Sequence, residues 1–124
     1  MPIIMPKVVT TSLLPKASSI TSSKALLGFY LKTEEGTELK FPVDKLTNVV
    51  GRDTECDIIL EGQSVSRRHC LLELTPRGLR IRDLGSKNGT LVNATLITEA
   101  FVTPGDIICL GHMILSVQKE TSAI

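Results

Sequence analysis

Hydrophobic positions in this 124-residue chain come in short runs from Ala25 onward. "LLGFYLKT" alternates aromatic and aliphatic residues with polar ones and predicts a strand. "EEGT" is a turn, and "ELKFPV" predicts a second strand. Its Pro42 cannot donate to a ladder, so it belongs at a sheet edge or a strand end. "NVVG" and "DIIL" are further short apolar runs. "CLLELT", the turn "PRG" and "LRIRDL" predict a hairpin in which Leu79 and Ile81 alternate with Arg80 and Arg82. "GTLV", "TLI", "DIICL" and "MILSV" complete the set. Gly, Pro, Asn and Asp fill nearly every gap, and no window carries an amphipathic helix. Short strands with turn signals about every eight to twelve residues predict an all-β sandwich.

The pattern also divides the chain. Residues 1–24 are rich in Ser, Thr and Pro without a steady hydrophobic period, which predicts a flexible tail. Residues 25–119 form the domain, and 120–124 a short C-terminal tail. In "MPIIMPKVVTTSLLPKASS", Pro2, Pro6, Lys7 and Pro15 interrupt any apolar stretch. The expectation is therefore no signal peptide and no transmembrane span.

Composition narrows the function classes. The chain is long enough to bury a core without disulfides or metals. Net charge is +1, a balance that argues against direct contact with nucleic acid. Aromatic residues are scarce and Trp is absent, which removes the usual base-stacking platform. Cys56, Cys70 and Cys109 are widely spaced with no C-x-x-C, so neither a zinc site nor a redox pair is signalled. Each lies beside apolar residues, as buried free thiols do, and unpaired thiols fit a reducing, cytoplasmic compartment.

Four stretches break strand logic: "GRDTECD", "EGQSVSRRH", "DLGSKNGT" and "VTPGD". Polar loops on a rigid scaffold are where sites usually lie. Ser66, His69 and Asp83 suggest a hydrolytic triad on paper. However, no G-x-S-x-G elbow is present, and no acid is placed to orient the ring, so no enzyme is expected. "GSKNGT" lacks the G-x-x-x-x-G-K-[ST] frame of a P-loop. Anion binding fits better. Arg52 offers a planar fork suited to phosphate, and Ser66 a hydroxyl donor. Arg67 and Lys87 add positive charge, and Asn88 carries both a donor and an acceptor for gripping a peptide backbone. Gly51, Gly85 and Gly89 permit tight loops that expose N–H groups. This chemistry requires loops distant in sequence to meet at one end of the sandwich.

Taken in order, Gly51-Arg52, Ser66-x-x-His69, Asp83-x-x-Ser86-x-Asn88-Gly89-Thr90 and Asn93 resemble the forkhead-associated (FHA) domain, and "PGDIICLG" resembles its penultimate strand. The resemblance runs from about Leu27 to Val117. It implies an eleven-stranded β-sandwich that binds phosphothreonine peptides at its loop apex, with no cofactor, metal or catalysis. By that analogy Arg52 and Ser66 hold the phosphate, Arg67 supports phosphate or peptide backbone, Lys87 sits beside the phosphate, and Asn88 grips the peptide main chain. His69 ties the binding loops together, and Gly51, Gly89 and Asn93 support the site. Arg68 is a solvated charge. Family members prefer phosphothreonine to phosphoserine because the γ-methyl fills an apolar niche. One departure stands out: the family usually has Gly after Asn93, and here Ala94 follows. Ala resists positive φ at a cost of about 1 kcal/mol, which leaves the turn type open.

"GLRIRDLGSKNGTLVNATLITEAFVTPGDIICLG" is similar to FHA modules of bacterial enhancer-binding transcription activators. That likeness implies a regulatory domain in bacterial signalling, with an upstream Ser/Thr kinase, a phosphothreonine-containing protein as partner and no membrane contact. "VVTTSLL" resembles the Thr-Thr motif of small actinobacterial FHA regulators, whose phosphorylated tail folds onto its own pocket. Thr10 or Thr11 would serve that switch here, and a phosphate-independent scaffold is the other alternative.

Overall fold

The structure is a computed structural model, and it describes residues 28–120. Eleven strands appear in the order β1 (Phe29–Thr33), β2 (Lys40–Pro42), β3 (Thr47–Gly51), β4 (Ile58–Ile59), β5 (Cys70–Thr75), β6 (Gly78–Asp83), β7 (Thr90–Val92), β8 (Thr95–Ile97), β9 (Glu99–Val102), β10 (Ile107–Leu110) and β11 (Met113–Lys119). They form a six-stranded sheet, β2-β1-β11-β10-β7-β8, and a five-stranded sheet, β4-β3-β5-β6-β9. All pairs are antiparallel except β3 with β4.

Alternation decides which side chains fill the space between the sheets. Leu31, Ile108, Leu110, Leu115 and Val117 point inward from the first sheet. Val50, Leu72, Leu79 and Ile81 meet them from the second, and all are 1% exposed or less. In the β5–β6 hairpin the register Leu72↔Ile81 and Leu74↔Leu79 puts the apolar residues of both strands on one face. The outer face carries the charges: Glu73 pairs with Arg80 at 2.7 Å and with Arg82 at 3.5 Å. Asn48 occupies an inward position on β3 and is reconciled with burial by donating to the Lys45 and Leu72 carbonyls.

Ten of the eleven strands coincide with the apolar runs of the sequence. Pro42 ends β2, which is itself an edge strand, as its missing donor requires. β9 has no counterpart among those runs. Its sequence, "EAFV", is separated from "TLI" by Thr98 alone, without a turn signal, and only Ala100 and Val102 face the core. The chain leaves the first sheet at Ile97, bends at Thr98 and joins the second as β9. Cys56 and Cys70 are buried free thiols, whereas Cys109 is only half-buried because it faces outward on β10. Burial pushes the Cys70 thiol well above its ordinary range. At the β7–β8 turn Asn93 has φ 50° and Ala94 φ 70°. The chain thus keeps the tight hairpin turn and imposes left-handed backbone on an alanine.

Strand direction sorts the connections. β1–β2, β3–β4, β4–β5, β6–β7, β8–β9 and β10–β11 all come to one end of the sandwich. The β5–β6, β7–β8 and β9–β10 turns lie at the other, with Gly28 and Glu120. Among the described residues, no helix is long and apolar enough to cross a membrane.

Candidate functional site

The apex is built on contacts between backbones. Past Gly51, the β3–β4 and β4–β5 loops stay hydrogen-bonded: Arg52 N–H donates to the Ser66 carbonyl at 3.0 Å and Asp53 N–H to that of Arg67 at 3.1 Å. A Cβ on Gly51 would lie 2.1 Å from the Arg67 carbonyl oxygen, so only glycine allows this approach. Cys56 Sγ–H donates to the same oxygen at 3.0 Å. Arg52 Nε donates to the Val65 carbonyl at 2.9 Å. That bond anchors the root of an otherwise exposed guanidinium and leaves its terminal nitrogens facing solvent.

His69 joins this pair of loops to the β6–β7 loop. It is fully buried. Its Nδ1 accepts the Ser66 N–H at 3.0 Å, so the proton sits on Nε2, which donates to the Gly89 carbonyl at 2.9 Å. Ser66 Oγ accepts the Lys87 N–H at 2.9 Å. With its lone pair so engaged, the hydroxyl is left with its own proton to donate. Asn88 Nδ2 donates to the Ser64 carbonyl at 2.8 Å, which fixes the amide and leaves Oδ1 as an acceptor. Asp83 organises the loop from beneath. It accepts from the Gly85 and Ser86 N–H groups and from the Ser86 and Thr90 hydroxyls. Desolvation alone would raise its pKa, but these four bonds outweigh it and hold the carboxyl below the usual range.

A further connection belongs to the apex that sequence reasoning missed. In the β10–β11 turn, the His112 N–H donates to Ser64 Oγ at 2.7 Å. Gly111 adopts φ +63°, and a Cβ there would meet the Ser64 carbonyl oxygen at 2.3 Å. Its only signal was the Gly-His pair between two apolar runs. Ser64 therefore links three connections, its hydroxyl to one and its carbonyl to another.

Of the residues singled out from sequence, Gly51, Arg52, Ser66, Arg67, His69, Lys87, Asn88 and Gly89 gather here. Asn93 does not. It lies at the opposite end of β7, where Nδ2 donates to Asp106 at 3.0 Å and Oδ1 accepts the Ile107 N–H at 2.9 Å, so it braces the far end rather than the site. "VTPGD" is a far-end loop for the same reason. The sequence-suggested triad is not assembled: His69 bonds the Ser66 backbone, and Asp83 bonds Ser86 and Thr90. Thr10 and Thr11 lie outside the described residues.

Charge completes the geometry. Among the described residues, Arg52, Arg67 and Lys87 form no ion pair, whereas Lys32, Lys45, Arg80 and Arg82 each do. No cluster among the described residues could hold a metal ion. The apex therefore offers an oriented guanidinium, a hydroxyl proton, two further cations and a fixed amide. That is a donor set for a multiply charged oxyanion.

The comparisons with known proteins agree with this geometry. The family model for the FHA domain matches residues 48–111. The ABC transporter ATP-binding/permease protein Rv1747 of Mycobacterium tuberculosis is 38% identical over 74 residues, 60% of this chain and 9% of that protein. The glycogen accumulation regulator GarA of Mycolicibacterium smegmatis is 34% identical over 92 residues, 74% of this chain and 57% of GarA. The chain thus spans less than two thirds of the length of these relatives. A structure solved in work on phosphothreonine-dependent FHA domain interactions superposes with a TM-score of 0.72 at 28% identity, covering 77% of this chain and 99% of that one. Two sheets of this topology, closed at one end by loops locked through a buried histidine and matched by the family over half the chain, identify the protein as a member of the FHA domain family.

Proposed function

We propose that this chain is a phosphothreonine-recognition module, acting by binding rather than catalysis. One observation carries the reading: Arg52, Arg67 and Lys87 sit on loops that meet at Ser66, none of them forms an ion pair among the described residues, and the Ser66 hydroxyl keeps its proton to donate. A phosphothreonine brings about −1.5 to −2 charges and three strong acceptors. Arg52 and Ser66 take its oxygens, Arg67 and Lys87 supply long-range attraction, and Asn88 Oδ1 accepts a main-chain N–H of the peptide. Gly51, His69 and Gly89 hold the loops in place. The binding unit is residues 25–119, with 1–24 and 120–124 outside it. The partner is a phosphothreonine-containing protein made by a Ser/Thr kinase, and the setting is bacterial cytoplasmic signalling, with a transcription-regulatory host as one form of it.

Titration with phosphothreonine, phosphoserine and unphosphorylated peptide libraries tests this. Charge-assisted hydrogen bonds are worth about 1.5–3 kcal/mol each, so Arg52→Ala should weaken phosphothreonine binding about tenfold or more with little change in thermal stability. A folded domain that binds no phosphopeptide, or binds equally well without Arg52, would instead be a phosphate-independent scaffold.

A further inference from the structure

Three consecutive residues anchor the groups that would meet the ligand. Arg52 Nε donates to the Val65 carbonyl at 2.9 Å, Ser66 supplies its own hydroxyl, and Asn88 Nδ2 donates to the Ser64 carbonyl at 2.8 Å. One short stretch of backbone therefore sets the offset between the phosphate donors and the main-chain grip. Its two ends are fastened differently. At the phosphate end, the Ser66 N–H donates to the buried His69 ring at 3.0 Å, and the neighbouring Val65 is itself buried. At the Asn88 end, the side-chain fastening is the Ser64 hydroxyl, which accepts the His112 N–H of the β10–β11 turn at 2.7 Å. The turn fits closely against this serine: a Cβ on Gly111 would lie 2.3 Å from the Ser64 carbonyl oxygen and 2.6 Å from its Oγ. Both bonds to Ser64 are open to solvent. Water competes for an exposed amide, so the Asn88 side chain stays aligned only while its acceptor is held still.

Resting on the phosphothreonine reading above, we propose that Ser64 is a positioning residue, whose hydroxyl holds its own carbonyl where Asn88 is aligned to grip the peptide main chain. The serine acts through Asn88. Tied to the β10–β11 turn, the Ser64 carbonyl fixes Nδ2 and leaves Oδ1 to the peptide. Without the tie, that peptide unit shifts and the amide turns to water. The phosphate contacts are spared, because Arg52 and Ser66 are held through Val65 and His69 instead. A turn that supplies none of the phosphate-binding side chains thereby fixes where the peptide main chain is gripped.

The test breaks the tie from both sides in the full chain. Ser64→Ala removes the acceptor and His112→Pro the donor, whereas Ser64→Thr keeps the hydroxyl and His112→Ala keeps the N–H. His112 is not at positive φ, so proline is compatible with its backbone there. Thermal unfolding verifies each fold, and if one tie-breaking variant does not fold the other carries the test. Ser64→Ala and His112→Pro should each weaken binding of the best phosphothreonine peptide from the library about threefold, while Ser64→Thr and His112→Ala bind as the wild type does. In an Asn88→Ala background the same two substitutions should cost nothing further. By NMR, the Asn88 side-chain amide protons should exchange faster with water in both tie-breaking variants, with the His69 Nε2 proton unmoved. Wild-type affinity in Ser64→Ala, or a loss that persists undiminished in Asn88→Ala, overturns the inference and leaves the phosphate reading standing. A loss from only one of the two tie-breaking variants, when both fold, also overturns it. Failure of the wild type to bind any phosphothreonine peptide would remove that reading and the inference with it.

Discussion

The two ends of the sandwich are made from the same turn residues and behave as opposites. At the far end the side chains of Thr75, Asn93, Thr103 and Asp106 find partners within their own turn or the next. Asn93 and Asp106 bond each other, Asp106 also accepts from the Thr103 N–H and hydroxyl, and Thr75 Oγ1 closes the β5–β6 hairpin through Arg77 and Gly78. At the apex, bonds of the same kind fasten loops to one another but use only part of each side chain. Arg52 spends Nε, Ser66 spends a lone pair and Asn88 spends one N–H. Turn chemistry alone therefore does not mark a binding site. What marks it is hydrogen-bonding capacity left over after the loops are fixed, on loops that bring Arg52, Arg67 and Lys87 to one end.

The sharpest break of this contrast is a methyl group added at each end. Gly51→Ala forces a Cβ against the Arg67 carbonyl and should cost about 3 kcal/mol or more, disrupting the apex and peptide binding with it. Gly105→Ala at the far end meets no atom within 4 Å and pays only for φ +98°, about 1 kcal/mol. Urea unfolding of the two variants gives the difference directly, and equal costs would show that the apex loops yield.

Acid should separate the ends next. Hydrogen bonds keep Asp83 at the apex and Asp106 at the far end below the ordinary carboxylate range, the latter chiefly through the Asn93 amide. A lowered folded pKa gives stability that is complete above the unfolded value, about 4, and is lost as pH falls through the folded value. Stability should therefore hold from pH 7 to about pH 5 and decline below about pH 4. Asp83→Asn and Asp106→Asn should each flatten part of that decline. At neutral pH each should cost about 1–2 kcal/mol of stability, but only Asp83→Asn should weaken phosphopeptide binding, because its loop carries Lys87 and Asn88. Equal binding by both variants would deny the apex its dependence on Asp83.

The smallest effect is a gain. Ala94→Gly relieves an alanine held at φ 70° and should stabilise the domain by about 0.5–1 kcal/mol, with phosphopeptide affinity unchanged because the turn lies away from the apex. A change in affinity would mean that the ends are coupled.

Much of this was legible from local pattern, and the reasons are local. A period of two with turn residues between runs sets strand or turn without reference to the rest of the chain, so ten strands and the β5–β6 hairpin stood out. β9 did not, because its contribution to the core is two small or medium side chains and its start is a bend with no glycine or proline. The ordered Gly-Arg, Ser-x-x-His and Ser-x-Asn-Gly pattern likewise pointed to an anion site, since those side chains carry their donors wherever they sit. Which loops meet is a matter of strand direction and of pairing between residues distant in sequence, 48 positions in the case of His112 and Ser64. No local pattern encodes that, so Asn93 was grouped with the site it follows in sequence, and the link between Ser64 and His112 was passed over. The strands and the donor chemistry follow from the residue order alone. The apex exists because two sheets pack face to face and bring connections distant in sequence to one end.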